Sequence, residues 1–154
     1  MPEPRIPPHD EQAEASILGA ILIDKDALSE VVEFLHSDYF YKDAHSQIFS
    51  AMLALFEKHE PVDIVTVTAE LKKMGKYKDV GGSSYLTELT NMVPTSANIE
   101  VYGKIVGDHY VKRSLIGIST TLASEAFSEK KDVKDILDKA ESEILAISEK
   151  RTHR

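Results

Sequence analysis

The 154-residue sequence contains no cysteine. Without cysteine the chain can form neither a disulfide framework nor a thiolate zinc site, and it has no thiol nucleophile. No apolar run approaches the roughly 20 residues that a membrane-spanning helix requires, and the first residues lack the basic start and apolar centre of a signal peptide. These absences predict a cytoplasmic protein that neither spans a membrane nor relies on thiol chemistry.

Positive charge is also scarce, because 18 Lys and Arg stand against 26 Asp and Glu, a formal net charge of -8. Strong binding to nucleic acid draws much of its free energy from basic side chains that displace counterions from phosphates. The chain is therefore predicted not to bind DNA strongly by itself. Apolar residues make up 42% and charged residues 29% of the sequence, which is typical of a folded globular domain.

Three motifs of common enzymes are missing from the sequence. There is no phosphate-binding loop of the form GxxxxGK followed by Ser or Thr, no GxSxG nucleophile elbow and no HExxH metal motif. The nearest match to a phosphate loop, Gly81 to Ser84, lacks the lysine and is interpreted as a turn. The sequence therefore predicts no catalytic residue, no bound cofactor and no metal site.

One metal-like pattern needs weighing, since Glu33 and His36 match the Glu-x-x-His pair of di-iron bundles. Such a site needs two copies and further carboxylates, so we interpret both residues as surface positions near a helix end. His45, beside an apolar helical stripe, is more typical of a packed or hydrogen-bonded side chain. The alternative is a small helical metal-dependent enzyme built around these three residues, which a metal assay of the purified protein would reveal.

Apolar side chains recur with helical spacing along most of the chain, which predicts an all-α fold. Five short helices are expected before residue 98, the first ending near Ile23 and the fifth surrounding Tyr85 and closing before Pro94. The β-branched residues after Asp63 would also suit a strand, but the spacing toward Gly75 favours a helix. The five helices are predicted to start at or just after Asp10, Asp24, Lys42, Asp63 and the Gly81–Gly82 turn.

Two longer helices are predicted in the last third of the chain. The first runs from about Asn98 to Phe127 without an interrupting proline and carries two adjoining apolar series. The second follows the polar loop at residues 128–132, so the pair is expected to form an antiparallel hairpin. Its candidate interface with other copies of the chain comprises Val111, Leu115, Ile118, Leu137, Ala140 and Ile144.

The predicted architecture is therefore a compact multi-helix globular head over residues 1–98 and a long antiparallel helical hairpin over residues 99–150. Residues 151–154 are expected to begin a linker. A two-helix hairpin cannot cover both apolar faces of its first helix. Either the hairpin pairs with the hairpin of another copy to form a four-helix bundle, or the head folds back over it.

Three further apolar residues are candidates for a partner site. Tyr85 lies near the end of the head, while Ile116 and Leu122 belong to the apolar series of the first hairpin helix. Exposed aromatic and aliphatic residues of this kind often anchor a protein partner. Plain core packing explains the same pattern equally well, so periodicity leaves both interpretations open.

Six strings occur in a fixed order along the chain: RIPPHDEQAEASILGAIL, DYFYKDAHSQIFSAM, EPVDIVTVTAEL, GGSSYL, VPTSANIEVYGKIV and KRSLI. Together they resemble the N-terminal domain of the bacterial DnaB-type replicative DNA helicase, over nearly the whole chain. The resemblance implies a non-catalytic collar domain of a hexameric ring, a trimer of dimers that forms through head contacts and paired hairpins. The ATPase motor of that family is not among these 154 residues.

The resemblance also implies a partner, the C-terminal helicase-binding domain of primase. The family's primase-contact positions fall on Tyr85 in GGSSYL, Ile116 in KRSLI and Leu122 in the next helical turns. An alternative is a free-standing helical adaptor that binds a helicase loader or another replication protein. Competition between primase and loader fragments would distinguish these two functions.

Overall fold

The computed structural model describes residues 5–93 and 98–152. Over these residues the chain is helical and has no β-strand, which confirms the predicted all-α fold. A short 3-10 turn at Ser37–Tyr39 separates the second and third helices. The helices are α1 (Glu11–Ile23), α2 (Ala27–Val31), α3 (Asp43–Glu57), α4 (Ile64–Met74), α5 (Gly82–Asn91), α6 (Ile99–Phe127) and α7 (Val133–Thr152).

Two helix starts show why these segments are helical. The side chain of Asp10 accepts a hydrogen bond from the backbone N–H of Ala13 at 2.9 Å, which caps α1 as predicted. At α4, Asp63 and Thr66 exchange side-chain and backbone hydrogen bonds in a capping box. Gly75 ends α4 in the left-handed conformation with φ 73°. The helical interpretation of this ambiguous segment is thus confirmed.

The second helix differs from its prediction. α2 has only five residues, and its N-cap position is Asp26 rather than Asp24. The carboxylate of Asp24 instead accepts the backbone N–H of Asp26 at 2.9 Å, so it closes the turn that precedes the helix. The fifth helix, α5, ends at Asn91, before Pro94 as predicted.

The core of the head is organised around α1, which packs against α2, α3, α5 and α6. Every residue from Ala13 to Leu22 is buried. Gly19 allows the closest approach, because a Cβ built there would lie 2.2 Å from the carbonyl oxygen of Leu89 on α5. The close packing of α1 on α5 therefore depends on a residue without a side chain.

The last two helices form the predicted antiparallel hairpin, but α7 continues to Thr152, past the predicted start of a linker at residue 151. Lys139 Nζ lies 2.7 Å from Glu125 Oε1 near the tip, and Lys150 Nζ lies 3.4 Å from the hydroxyl of Tyr110 near the base. The first turns of α6 are also part of the head, since Ile99 and Val106 belong to its core. The head therefore surrounds only the base of the hairpin. Within the described ranges, no helix is both long and apolar enough to cross a membrane.

Candidate assembly and docking surfaces

A line of side chains on α6 faces α7. Val111 lines a small cavity together with Ile147 of α7, and Glu125 pairs with Lys139 of α7. Ile118 lies seven residues from each of Val111 and Glu125, so helical geometry places it on the same side. Ala140, seven residues before Ile147, occupies the matching side of α7. The half-buried interface candidates Val111, Ile118 and Ala140 therefore lie toward the contact between the two helices of one chain.

The other interface candidates lie on an exposed face of the hairpin. Leu115 is 42% exposed on α6, and Leu137 and Ile144 are 56% and 49% exposed on α7. At about 100° per residue, Leu115 is roughly opposite Arg113, which reaches the head. Leu137 and Ile144 likewise point away from the direction of Lys150, which also contacts the head. We call this side the assembly face, which comprises Leu115, Val133, Leu137 and Ile144, with Leu122 at its border.

The three predicted partner residues do not form one cluster within the chain. Leu122 is half-buried at the border of the assembly face. Ile116 is exposed and lies roughly 120° around α6 from Leu122, on the outer edge that also carries Phe127. Phe127 is the most exposed large apolar residue described, at 89%. Tyr85 belongs to α5, which packs on α1 and α4.

Tyr85 is connected to the core of the head by a hydrogen-bonded chain. Its hydroxyl lies 2.5 Å from Nε2 of His45, and Nδ1 of His45 lies 2.8 Å from Oε1 of Glu14. Glu14 and His45 are each only 1% exposed. Because a carboxylate only accepts, Nδ1 of His45 donates to Glu14. The interpretation of His45 as a packed, hydrogen-bonded residue is therefore confirmed.

Glu14 also accepts two hydrogen bonds from backbone N–H groups. The N–H of Tyr41 donates to Oε2 at 2.7 Å and the N–H of Lys42 donates to Oε1 at 3.3 Å. One buried carboxylate thus ties α1 to the start of α3 and, through His45, to α5. A buried charge of this kind is tolerated only when its hydrogen bonds are satisfied, so this network fixes the arrangement of three helices.

A cation covers the exposed side of the network. Lys42 Nζ lies 3.5 Å from the hydroxyl of Tyr85 and 4.7 Å from the centre of its ring. Burial raises the pKa of Tyr85 above its ordinary value, while the positive charge of Lys42 opposes that shift. At neutral pH the hydroxyl is therefore protonated.

A second cation, Arg113, joins α6 to the head. Its guanidinium donates to the carbonyl oxygens of Pro8 and Tyr39 at 2.8 and 2.7 Å, and it lies 5.4 Å from the ring centre of Tyr41. Burial lowers the pKa of Arg113, and the nearby Glu14 opposes that shift. Arg113 therefore fixes the point at which α6 leaves the head.

Lys150 makes a corresponding connection at the end of α7. Its ammonium group lies 3.0 Å from Asp38 and stands over the rings of Tyr39 and Tyr110. Although partial burial lowers it, the pKa of Lys150 is raised overall by its hydrogen bonds to Asp38 and Tyr110. An open groove of about 590 Å³ lies next to Lys150, and it is lined by the first turns of α6, by Phe34 and by the end of α7.

The metal-binding alternative finds no geometric support in the part of the chain that is described. No three His, Asp or Glu side chains there come close enough to hold a metal ion. Glu33 and His36 are exposed just beyond α2, as predicted for surface positions, and His45 is committed to Glu14 and Tyr85.

Sequence reasoning missed Glu14, Arg113 and Lys150 as connecting residues. Glu14 had one usable signal, because it interrupts a helix that is otherwise apolar almost all the way round. No sequence signal marked Arg113 and Lys150, since a basic residue on a long helix is most often exposed to solvent. Their roles depend on carbonyl and carboxylate groups far away in the sequence.

Residues 6–108 of the chain match the family described as the DnaB-like helicase N-terminal domain. The chain is 43% identical over 147 residues to the replicative DNA helicase DnaC of Bacillus subtilis. It is 42% identical over 147 residues to the replicative DNA helicase DnaB of Geobacillus stearothermophilus. Each alignment covers 96% of this chain but 32% of the relative, so the chain spans about a third of the length of the curated relatives it matches.

Two solved structures share the fold. The crystal structure of the N-terminal domain of DnaB helicase from Mycobacterium tuberculosis superposes with a TM-score of 0.86 and 38% identity, over 92% of this chain and 99% of that one. A DnaB-like replicative helicase, whose structure was solved together with its interactions with primase, superposes with a TM-score of 0.76 and 26% identity. That alignment covers 94% of this chain and 32% of the helicase.

Proposed function

The chain belongs to the family of DnaB-like helicase N-terminal domains, and we propose that it acts as the collar of a hexameric replicative helicase, where it assembles subunits and docks primase. It corresponds to the N-terminal, non-motor part of such a helicase. Its role in this proposal is therefore to hold partners in position, without chemistry of its own.

The assembly face is the observation that carries this proposal. Leu115, Leu137 and Ile144 lie on one side of a hairpin and remain about half exposed. Burial of each such side chain contributes on the order of 1.5 to 3 kcal/mol, so several together favour association. Pairing two assembly faces about a two-fold axis would give a four-helix bundle, and a C2 contact uses the same patch on both copies. Further contacts between dimers would then close the ring as a trimer of dimers.

A dilution series tests self-association directly. Native mass and light scattering are measured from high to low concentration, with circular dichroism at each point. We expect dimers or larger assemblies at high concentration and dissociation on dilution. A fully helical single subunit at every concentration would contradict the proposal.

Primase is proposed as the docked partner because the similar helicase of the second solved structure interacts with primase. Tyr85 and Ile116 are then the proposed contacts on the head and on the outer edge of α6, and Leu122 is the proposed contact at the border of the assembly face. Two paired hairpins can bring these surfaces of neighbouring subunits together, which would make the docking site composite.

Binding of the C-terminal helicase-binding domain of a bacterial primase tests this part. We expect Ile116→Ala and Tyr85→Ala to weaken binding by about tenfold or more, as hot-spot residues do. Val65→Ala is the matched control, because Val65 is 74% exposed on α4. Unchanged affinity for both site variants would remove primase docking from this surface.

A further inference from the structure

A strip of alternating cationic and aromatic side chains crosses the head between Tyr85 and Ile116. Lys42 contacts the ring and hydroxyl of Tyr85. Tyr41, the neighbour of Lys42, lies against Arg113, and Arg113 is one helical turn from Ile116 on α6. We call Lys42, Tyr41 and Arg113 the connecting strip. It gives a physical path between two residues that belong to different helices.

The two cations of the connecting strip have no carboxylate partner within 4.0 Å among the ion pairs of the described residues, which involve other groups. Lys42 is held over a tyrosine ring and Arg113 is bound to backbone carbonyls. Glu14 offsets part of the charge of Arg113, so the ammonium group of Lys42 is the cation of the strip that can receive a negative group.

Tyr41 supplies an aromatic surface between the cations. It is 40% exposed, and its ring stacks on His9 with 4.0 Å between ring centres. Its backbone N–H is fixed by Glu14. A tyrosine held in this way loses little conformational entropy on binding, which makes it a favourable anchor for a protein partner.

The charges around Tyr85 decide between a protein and a nucleic acid as the occupant. Glu11 and Glu88 lie close enough to Tyr85 to raise its pKa. A continuous phosphate backbone that crossed the strip would meet these carboxylates. A protein segment can place a single carboxylate in direct contact with Lys42 and an apolar residue on Tyr41, so it meets less of that repulsion than a row of phosphates.

We propose that the connecting strip docks a protein segment that carries an Asp or Glu beside an apolar anchor, with the carboxylate on Lys42 and the anchor on Tyr41. This inference rests on the proposed function, because it joins Tyr85 and Ile116 into one docking surface. In this proposal Arg113 is a positioning residue, which holds Tyr41 and α6 in a fixed relative position.

The test uses four variants of the 154-residue chain and the C-terminal helicase-binding domain of a bacterial primase as the probe. Lys42→Met keeps the apolar stem and removes the charge, while Lys42→Arg keeps the charge. Tyr41→Ala removes the anchor. Lys78→Met is the matched control, since Lys78 is an exposed lysine in the turn before α5. Affinity is measured by titration calorimetry at low and high salt, and circular dichroism reports the fold.

We expect Lys42→Met to weaken binding about fivefold at low salt, in line with an exposed ion pair, and to reduce the salt dependence of the affinity. Lys42→Arg should restore most of the binding. Tyr41→Ala should weaken binding about tenfold, and Lys78→Met should have no effect. A structural role of Lys42 alone would leave the salt dependence unchanged.

The outcomes separate this inference from the proposed function. If Tyr85→Ala and Ile116→Ala weaken binding but Lys42→Met and Tyr41→Ala do not, the proposed binding role of the connecting strip is wrong and the docking function stands. If none of these variants changes the affinity, both are wrong. An equal loss in Lys78→Met, or displacement of the primase domain by a single-stranded oligonucleotide, would also overturn the proposed occupant.

Discussion

The hydroxyl oxygen of Tyr85 lies 2.5 Å from Nε2 of His45, and that imidazole is itself bound to the buried carboxylate of Glu14. A half-buried residue proposed for partner binding is thus connected through one side chain to a charged group in the core. His45 donates to Glu14 from Nδ1, and in a neutral imidazole Nε2 would then accept the proton of the Tyr85 hydroxyl. The orientation of Tyr85 is therefore set from inside the head.

Replacement of His45 should cost more stability than removal of the Tyr85 hydroxyl. His45→Phe leaves Oε1 of the buried Glu14 with only the 3.3 Å hydrogen bond from the backbone N–H of Lys42, and we expect this loss to cost about 2 to 3 kcal/mol. Tyr85→Phe removes the hydroxyl contacts to His45 and Lys42 at the half-buried end of the network, and about 1 kcal/mol is expected. Urea unfolding followed by circular dichroism measures both. Equal losses would mean that the His45–Glu14 contact contributes little.

An acidic residue on the assembly face should prevent association without unfolding the head. Leu137→Asp and Leu115→Asp place a charge where two apolar faces would meet, and burial of an unpaired carboxylate is strongly unfavourable. We expect the native mass to fall to that of one subunit. Val65→Asp changes an exposed side chain of α4 and should leave the native mass unchanged. Unaltered mass and helicity in the Leu variants would show that association uses another surface.

Two glycine-to-alanine substitutions should have opposite effects. At Gly19 the new Cβ would lie 2.2 Å from Leu89 O and 2.7 Å from Val93 Cγ2, so Gly19→Ala should destabilise the head by about 1 to 3 kcal/mol. At Gly117 nothing lies within 4 Å of the new Cβ, and Gly117→Ala should stabilise α6 by about 0.5 to 1 kcal/mol. Thermal unfolding of both variants provides the comparison. If Gly19→Ala left the thermal stability unchanged, α1 and α5 would pack less tightly than described.

The ion pair between Lys58 and Glu70 should contribute stability that depends on pH. Nζ of Lys58 lies 2.8 Å from Oε1 of Glu70, and this hydrogen bond lowers the pKa of Glu70. A lowered folded-state pKa stabilises the protein above the unfolded value of about 4.3, and that stability is lost as the pH falls through the folded value. The difference in unfolding free energy between the wild type and Glu70→Gln should therefore be constant near neutral pH and shrink in acid. A difference that does not change with pH would exclude a charge effect.

Local features of the fold were predictable from short stretches of sequence. The caps at Asp10 and Asp63 were predicted because each involves a side chain and a backbone N–H three residues away. α6 and α7 were predicted because their apolar spacing repeats over several turns. α2 was predicted less well, since a helix of five residues carries too few positions to define a period or a cap.

The candidate surfaces were predictable only in part. The exposed Leu115, Leu137 and Ile144 were identified from spacing, but spacing alone could not separate them from Val111, Ile118 and Ala140, which lie toward the other helix of the same hairpin. Periodicity shows that a residue lies on an apolar stripe. Only the positions of α7 and the head show which side of that stripe stays open.

The sequence by itself determined the all-α fold, the length of the hairpin helices and the absence of the common catalytic motifs, because these follow from interactions within a few residues. The tertiary structure decided which apolar residues stay exposed, how Tyr85 is held and where Lys42 and Arg113 lie. Glu14 and Tyr41 are 27 residues apart and Arg113 and Pro8 are 105 residues apart. Contacts between residues so far apart leave no periodic pattern and no capping motif in the sequence, since they exist only once α1, α3 and α6 have packed together.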